Sequence, residues 1–320
     1  MTSAAVTPSP ARSAADPADP ADPAEKGARG ARRGGSRRER LATSVLVLPG
    51  VAWLGIFFLA PLAIMAVISL GAVDEHGRVT LLEPSLRNYE EAFRPEYLPA
   101  FLKSLYYSIV TTVLCLAIGY PVAYWISRYG GRRKILLLIL VMLPFWTSYL
   151  IRTYAWMIIL RDNGVLNSLL RTLGLIEDPI QILNTDVSVI LGMVYGFLPF
   201  TILPLFVSID RLDFSLVHAA RDLYASGRDA FLHVTLPLTM PGIVAASLLT
   251  FIPALGDFVT PDVLGGADTT TIANIIQVIF TGGRDWPYGS ALGFLLMAVT
   301  IAGTMLALRN LRREVIGVEA

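Results

Sequence analysis

Two charged residues, Arg152 and Asp257, lie within long apolar stretches of the chain. Each is about 16 or 17 residues from the start of its stretch, which a helical rise of about 1.5 Å per residue converts to roughly 25 Å. A charge at such a depth in a membrane is costly and normally faces a partner or a water-filled cavity. Two interpretations follow. Either Arg152 and Asp257 form an ion pair that joins two helices, or Asp257 and Asp262 form an acidic lining for a cationic solute.

Aromatic residues accompany these charges in the sequence. Trp146, Tyr149 and Tyr154 precede or follow Arg152 by a few positions. An ammonium group that has shed its water needs a carboxylate or an aromatic face, and these rings could supply one. Packing within a helix bundle is the alternative role. The candidate substrate pathway therefore comprises Asp257, Asp262, Trp146, Tyr149 and Arg152.

A polar segment between two apolar stretches, HAARDLYASGRDAFLHVTLPLTMPGI, runs from His218 to Ile243. Its periodicity predicts a short helix over 218–234 with a break or bend at Gly227. Pro237 and Pro241, which interrupt regular helix hydrogen bonding, follow this helix. The segment is either a docking element for another protein or a helix that lies on lipid headgroups. The apolar side chains that can share much of one helix face are Ala219, Leu223, Phe231 and Val234.

The elements that position these residues are membrane helices. The 320 residues are 54% hydrophobic and 16% charged, and the mean hydropathy is +0.59, far from the values of a soluble domain. A membrane helix needs roughly 20 apolar residues, and six stretches meet that length. The sequence thus predicts an all-α integral membrane protein embedded in the lipid bilayer, with spans near 45–70, 104–127, 135–160, 187–209, 241–264 and 289–308.

Charges in the loops give the predicted topology. Arginines over 29–40 precede the first span, basic residues over 128–134 precede the third, and arginines over 309–313 follow the sixth. Positive loops stay in the cytoplasm, so both termini and the 210–240 loop are predicted to be cytoplasmic. Residues 1–44, rich in Pro, Ala and Arg, are predicted to be a disordered cytoplasmic tail. A six-helix transmembrane domain then covers 45–314 and a short tail covers 315–320, with short external helices expected over 84–103 and 164–173.

Several kinds of chemistry have no motif in the sequence. There is no GxxxxGK[ST] loop for phosphate, no HExxH or paired-cysteine spacing for a metal, and no GxSxG nucleophile. We therefore expect no catalytic residues, no metal and no cofactor, and we expect a channel-forming subunit rather than an enzyme. An ion-coupled carrier is an alternative, but it would more often show internal repeats. A membrane enzyme would need clustered His or carboxylate residues.

The order of residues in the polar segment resembles the EAA loop of permease subunits of binding-protein-dependent ABC importers. The matching features are His218-Ala219-Ala220, a short helix, Phe231, Leu236-Pro237 and the PGI of 241–243. In that family the loop inserts into a cleft of the ATPase subunit. Two positions depart from the family, since His218 replaces the usual Glu and Tyr224 the usual Gly. The resemblance implies ATPase contacts from His218, Ala219, Ala220, Arg221, Asp222, Tyr224, Gly227, Phe231, Leu236 and Pro237.

Three further stretches resemble the spermidine/putrescine-type permeases: PFWTSYLIRTYAW at 144–156, GDFVTPDVLGG at 256–266 and RDWPYGSA at 284–291. The resemblance implies a six-span type I importer permease of the bacterial cell membrane. Its implied partners are a second, similar permease, a dimeric ATPase that binds the ATP, and an extracytoplasmic solute-binding protein, with no nucleic acid. The acidic residues favour a polyamine as the solute. The alternatives are another solute of the same importer class, such as ferric iron, a phosphonate or an amino-acid-like compound.

Overall fold

The computed structural model describes residues 47–73, 79–80, 85–283 and 285–316, and these residues are mostly helical. Five of the described helices are long and apolar enough to cross a membrane, and a sixth span results if one bent helix pair is counted as a single span. The prediction of six spans is thereby confirmed. The long helices are Val47–Ser69, Pro95–Tyr129, Asp186–Asp210, Gly227–Leu255 and Trp286–Met305, and the bent pair is Gly131–Trp146 with Tyr149–Thr172.

The described residues group into two units, 47–61 and the residues from 62 onward, and each is described by itself. In the first unit, Trp53 and Phe57 stack one turn apart with ring centroids at 4.2 Å. The predicted tail over 1–44 lies outside the described residues. So does the predicted tail over 315–320, except for residues 315 and 316, which continue the last helix.

In the second unit, two β-strands of two residues each form a small antiparallel hairpin, with Ala72 opposite Thr80 and Val73 opposite Val79. The short surface helices Arg87–Ala92 and Val165–Thr172 fall in the loops where helices were predicted. In chain order the elements are α1 (Val47–Ser69), β1 (Ala72–Val73), β2 (Val79–Thr80), α2 (Arg87–Ala92), α3 (Leu98–Tyr129), α4 (Lys134–Met142), α5 (Tyr149–Leu160), α6 (Val165–Thr172), α7 (Asp186–Asp210), α8 (Ser215–Asp222), α9 (Gly227–Ala230), α10 (Leu236–Leu255), α11 (Val259–Leu264), α12 (Ile272–Val278) and α13 (Trp286–Ile316).

Helices α3, α7 and α10 form the centre of the second unit, where they pack against one another along most of their length. Small residues permit this approach. A Cβ atom on Gly242 of α10 would lie 2.2 Å from Ser208 Cβ of α7, so the two backbones are in direct contact there. Farther along the same pair, the buried hydroxyls of Thr201 and Thr250 are hydrogen-bonded at 2.7 Å. Cys115 is buried in this core.

The third predicted span, 135–160, is interrupted in the structure. A 3-10 turn, Leu143–Trp146, follows α4, and Thr147 and Ser148 are extended, so that the two parts of the span meet at 85°. Pro144 lacks a backbone N–H and clashes with a continuing α-helix, which accounts for the break. An interruption by the proline within this apolar stretch is what the structure shows.

The fifth predicted span, 241–264, is wrong at both ends. The helix begins at Gly227 and passes through a π-helical stretch, Phe231–Thr235, before α10. It continues past Pro241, which a membrane helix tolerates when neighbouring groups satisfy the freed carbonyl. It ends at Leu255, just after Pro253, because proline and Gly256 both weaken a helix. Residue Asp257 therefore lies in a break between helices and not inside a span.

Candidate functional site

The predicted coupling loop contains two helices joined by a sharp bend, and we name the residues from Ser215 to Leu236 the coupling segment. Helix α8 ends at Asp222, and α9 begins at Gly227 with Ser226 as its cap. The Ser226 hydroxyl accepts a 3.1 Å hydrogen bond from the backbone N–H of Asp229, which satisfies a free donor at the helix start. The prediction of a helix over 218–234 bent at Gly227 is thus wrong about the bend, which lies at residues 223–226.

Tyr224 forms the tip of the bend. Its φ of 64° is in the left-handed region, where a side chain costs roughly 1–2 kcal/mol and glycine costs nothing. This conformation explains why glycine suits the position in the family that the segment resembles. The side chains of Leu223 and Tyr224 are 82% and 99% exposed. The predicted sharing of one face by Leu223 and Phe231 is wrong, because the bend turns Leu223 outward.

The opposite side of the coupling segment packs on the end of α3. The ring of Phe231 makes edge contacts with Tyr120 and Tyr124, at centroid distances of 5.7 and 6.4 Å. The hydroxyls of Tyr120 and Thr239 are 2.9 Å apart and hydrogen-bonded. Because these contacts hold the inner face of the coupling segment against α3, a displacement of the segment also acts on α3 and α10.

His218 also contacts α3. An Arg128 N–H lies 3.4 Å from His218 Nε2, and since arginine only donates, the ring nitrogen is the acceptor. The same guanidinium lies 4.6 Å from the ring centroid of Phe214, which gives it a cation–π contact. A glutamate at position 218 would pair with Arg128 as a full ion pair. The histidine keeps the contact in a weaker form, which is the structural consequence of this departure from the family.

The start of α8 carries a charge that suits a helix N-terminus. The backbone N–H of Ser215 donates a 2.9 Å hydrogen bond to Asp213 Oδ1. This bond lowers the pKa of the Asp213 carboxyl below its usual value, because it stabilises the charged form. Asp213 therefore stays ionised and helps to hold the first turn of the coupling segment.

The remaining predicted coupling residues are exposed or half-buried. Ala219, Arg221, Asp222, Gly227 and Pro237 are exposed, and Ala220 and Leu236 are half-buried. The backbone N–H of Ala225 donates to the Ala220 carbonyl at 3.1 Å and closes the bend. Their contact with an ATPase stays a prediction.

The predicted pathway residues Tyr149 and Asp257 meet where both broken spans are interrupted. Asp257 Oδ2 accepts hydrogen bonds from the hydroxyls of Tyr149 and Thr260, each at 2.6 Å. Its Oδ1 accepts from the backbone N–H groups of Val259 and Thr260, at 3.0 and 3.2 Å. Asp257 is 8% exposed. The carboxylate thus caps α11 and ties it to α5, so the structure favours a positioning role for Asp257, and its contact with a solute stays a prediction.

Two glycines of α7 make room for this junction. A Cβ atom on Gly192 would lie 2.4 Å from Leu264 Cδ1 of α11, and one on Gly196 would lie 2.9 Å from the ring of Tyr149. Both are real clashes, so only glycine admits α11 and the tyrosine ring at this distance. Gly192 and Gly196 have the small-xxx-small spacing that is typical of close helix packing.

Arg152 and Asp257 form no ion pair within the part of the chain that the structure describes, so the ion-pair interpretation is wrong. The acceptor positions of Asp257 are already taken by nearer donors. The Arg152 guanidinium instead lies 5.1 Å from the ring centroid of Phe145 and 5.6 Å from that of Tyr149. Its buried Nε has no hydrogen-bond partner among the described residues.

The other two predicted pathway residues lie elsewhere. Trp146 is 79% exposed at the break in the third span. Asp262 is exposed and lines a cavity of about 450 Å³ together with Tyr97 and Tyr288.

The sequence reasoning missed Thr260, although its spacing of three residues from Asp257 is typical of a helix cap. It also missed Tyr97 and Tyr288, since no periodic pattern brings residues 97 and 288 together.

Comparison with known proteins identifies relatives of this chain. It is 42% identical over 267 residues to the spermidine/putrescine transport system permease protein PotB of Haemophilus influenzae, covering 82% of this chain and 93% of that relative. It is 32% identical to the inner membrane ABC transporter permease protein YdcU of Escherichia coli, covering 70% and 76%. No protein-family model matches the chain.

The fold has a counterpart among solved structures. A crystal structure of a bacterial ABC transporter involved in the import of the acidic polysaccharide alginate superposes with a TM-score of 0.66 at 19% identity, covering 87% of this chain and 96% of that chain. At this identity the likeness concerns the fold alone. Together with the relatives above, it assigns the chain, a multi-pass protein of the bacterial cell membrane, to the family of ABC importer permease proteins that includes PotB.

Proposed function

We propose that this chain is the permease subunit of an ATP-driven importer for polyamines of the spermidine and putrescine class. The support for the solute is the set of relatives named as spermidine/putrescine permeases, which align over about nine-tenths of their own length. An acidic cavity on the chain, formed around Asp262, agrees with a cationic solute. A second, similar permease would complete the pore, and an extracytoplasmic solute-binding protein would deliver the solute.

The energy for transport comes from a separate ATPase dimer. Because that dimer binds the ATP, this chain needs no cofactor of its own. The observation that carries this part of the proposal is the two-sided coupling segment. Leu223 and Tyr224 are presented outward, while Phe231 is clamped by Tyr120 and Tyr124 of α3. When ATP closes the ATPase dimer, Leu223 and Tyr224 move with the ATPase. The contacts of Phe231 with α3 transmit this motion to the spans, which switches access to the pore.

The test is uptake by the complete importer, reconstituted in proteoliposomes with its second permease, ATPase and binding protein. Labelled spermidine and putrescine are offered with ATP inside the vesicles, and ferric iron, a phosphonate and an amino acid serve as comparison solutes. We expect polyamine uptake that requires both ATP and the binding protein. Uptake driven by an ion gradient without ATP would contradict the coupling, and uptake of only a comparison solute would contradict the polyamine assignment.

A further inference from the structure

The cavity that contains Asp262 has the composition of a site for an alkylammonium group. Its volume of about 450 Å³ is within the range of small-molecule sites. Among the described residues that line it, Asp262 alone carries a formal charge. The aromatic rings of Tyr97 and Tyr288 lie on the cavity with their centroids 5.9 Å apart. The apolar side chains of Val278 and Ile279 line it as well.

The polar lining of the cavity is held in place by its own contacts. Asn274 Nδ2 donates a 2.8 Å hydrogen bond to the Phe258 carbonyl, and Asn274 Oδ1 accepts from the Thr271 hydroxyl at 2.6 Å. Tyr288 is buried, and its hydroxyl lies 3.5 Å from the Glu91 carbonyl oxygen. Asn274 and Tyr288 are therefore held in place before any ligand arrives, which reduces the ordering cost of binding.

The cavity lies at the opposite end of α3 from the coupling segment. Tyr97 immediately precedes α3, whereas Arg128, which contacts His218, is in its last turn. The helix has 32 residues, and a rise of about 1.5 Å per residue gives a length of about 48 Å. If the coupling segment faces the cytoplasm, the cavity is on the external side, where an imported solute enters.

We propose that this cavity binds one ammonium end of a linear polyamine, and this proposal rests on the proposed function. Asp262 pairs with the ammonium group, the faces of Tyr97 and Tyr288 add cation–π attraction, and Val278 and Ile279 contact the methylene chain. Asp257 is less suited to this task, because hydrogen bonds from its own chain already occupy both of its oxygens. Asp262, in contrast, presents an exposed carboxylate.

The first test compares Asp262→Asn with Asp268→Asn in the reconstituted importer. Asp268 is an exposed carboxylate between α11 and α12, and it is not among the residues that line the cavity. Losing a hydrogen bond to a charged group weakens binding roughly tenfold to hundredfold. We therefore expect the initial rate of spermidine uptake by Asp262→Asn to fall by roughly the same factor. Equal rates in the two variants would overturn the proposal. Absence of uptake by the wild type would instead count against the proposed function.

The second test measures occupancy without transport. Cys115 is buried, so Val278→Cys, at a side chain that is 58% exposed, adds an accessible thiol beside Asp262. In the detergent-solubilised importer, spermidine or 1,4-diaminobutane should slow alkylation of this thiol by a neutral maleimide at least about threefold, and the added Asp262→Asn change should abolish the protection. Protection that is the same with and without Asp262 overturns the proposal.

A lysine from the docked binding protein could bring the same ammonium chemistry to the cavity. The unliganded binding protein is therefore added to the same alkylation assay in place of the polyamine. Protection by the binding protein alone, with none from the free polyamine, assigns the cavity to docking and overturns the proposal. Protection by the free polyamine in the absence of the binding protein supports it.

Discussion

The hydroxyl of Tyr149 donates a 2.6 Å hydrogen bond to the buried carboxylate of Asp257, and this bond joins the two spans that the structure shows to be broken. Tyr149 is the first residue of α5, directly after the 85° bend, and Asp257 lies in the gap between α10 and α11. Each break frees backbone groups and shortens a helix. The shared hydrogen bonds provide a fixed relative position for α5 and α11 that helix continuity cannot provide.

We predict that Tyr149→Phe and Asp257→Asn both lower the stability of the permease. Tyr149→Phe removes one hydrogen bond at a buried charge, a loss of about 1–3 kcal/mol. Asp257→Asn removes the charge that four donors are arranged to meet, and its amide would place N–H groups against some of them. The measurement is the apparent Tm of the detergent-solubilised importer, with Tyr154→Phe, a half-exposed tyrosine on the same helix, as the control.

The same variants separate the two roles considered for Asp257. A positioning role predicts that stability and uptake fall together for every solute. If Asp257→Asn kept the wild-type Tm and lost only polyamine uptake, the carboxylate would be a contact of the solute, and the positioning role would be wrong.

Tyr224 gives a prediction with opposite signs for stability and transport. Tyr224→Gly should relieve the left-handed backbone strain and stabilise the bend by roughly 1 kcal/mol. Uptake should nevertheless fall, because the ring, 99% exposed in this chain, is the side chain that the ATPase is proposed to hold. Tyr224→Ala is the control, since it removes the ring and keeps the strain. Uptake unchanged in both variants would show that the ring makes no contact that coupling requires.

The sequence predicts the number of spans well, because about 20 apolar residues in a row have few alternatives in a membrane. The spacing of Gly192 and Gly196 in the sequence likewise agrees with the close approach seen there. The prolines in these stretches are visible in the sequence, but the sharp bend at Thr147 and the break before Asp257 do not follow from them, because a proline within an apolar stretch is compatible with both a kinked and an interrupted helix. Which outcome occurs is decided by tertiary contacts such as the hydrogen bond from Tyr149 to Asp257, two residues that are distant in the sequence.

The depth argument for Arg152 failed for the same reason. Two residues at equal distances from the start of straight helices should meet, but neither helix is straight. The Tyr149 hydroxyl is hydrogen-bonded to the Asp257 carboxylate instead. Arg152 lies against the rings of Phe145 and Tyr149. In contrast, the place of Phe231 in the motif does not depend on where the helix bends, and its part in coupling stays a prediction.

Ala219 tests whether the outer surface of the coupling segment is used. Its side chain is exposed on α8, so Ala219→Arg should leave folding and the amount of protein in the membrane unchanged. A large charged side chain on a docking surface should reduce ATP-dependent uptake at least about tenfold by steric and electrostatic conflict. Ala267→Arg, an exposed alanine between α11 and α12, controls for the added charge. Uptake at the wild-type rate in Ala219→Arg would mean that the ATPase does not cover this face.

Gly242 provides a test of how rigidly α7 and α10 are joined close to the coupling segment. A Cβ atom there would lie 2.2 Å from Ser208 Cβ, and overpacking of this kind typically costs about 1–3 kcal/mol. Gly242→Ala should therefore lower the apparent Tm. Ser208→Gly alone should also lower it slightly, because Ser208 donates a 3.3 Å hydrogen bond to the Thr239 carbonyl. The double variant should recover part of the loss, since the two changes together remove the clash. A double-mutant cycle gives the coupling between the two positions, and strictly additive effects would mean that α7 and α10 separate easily at this point.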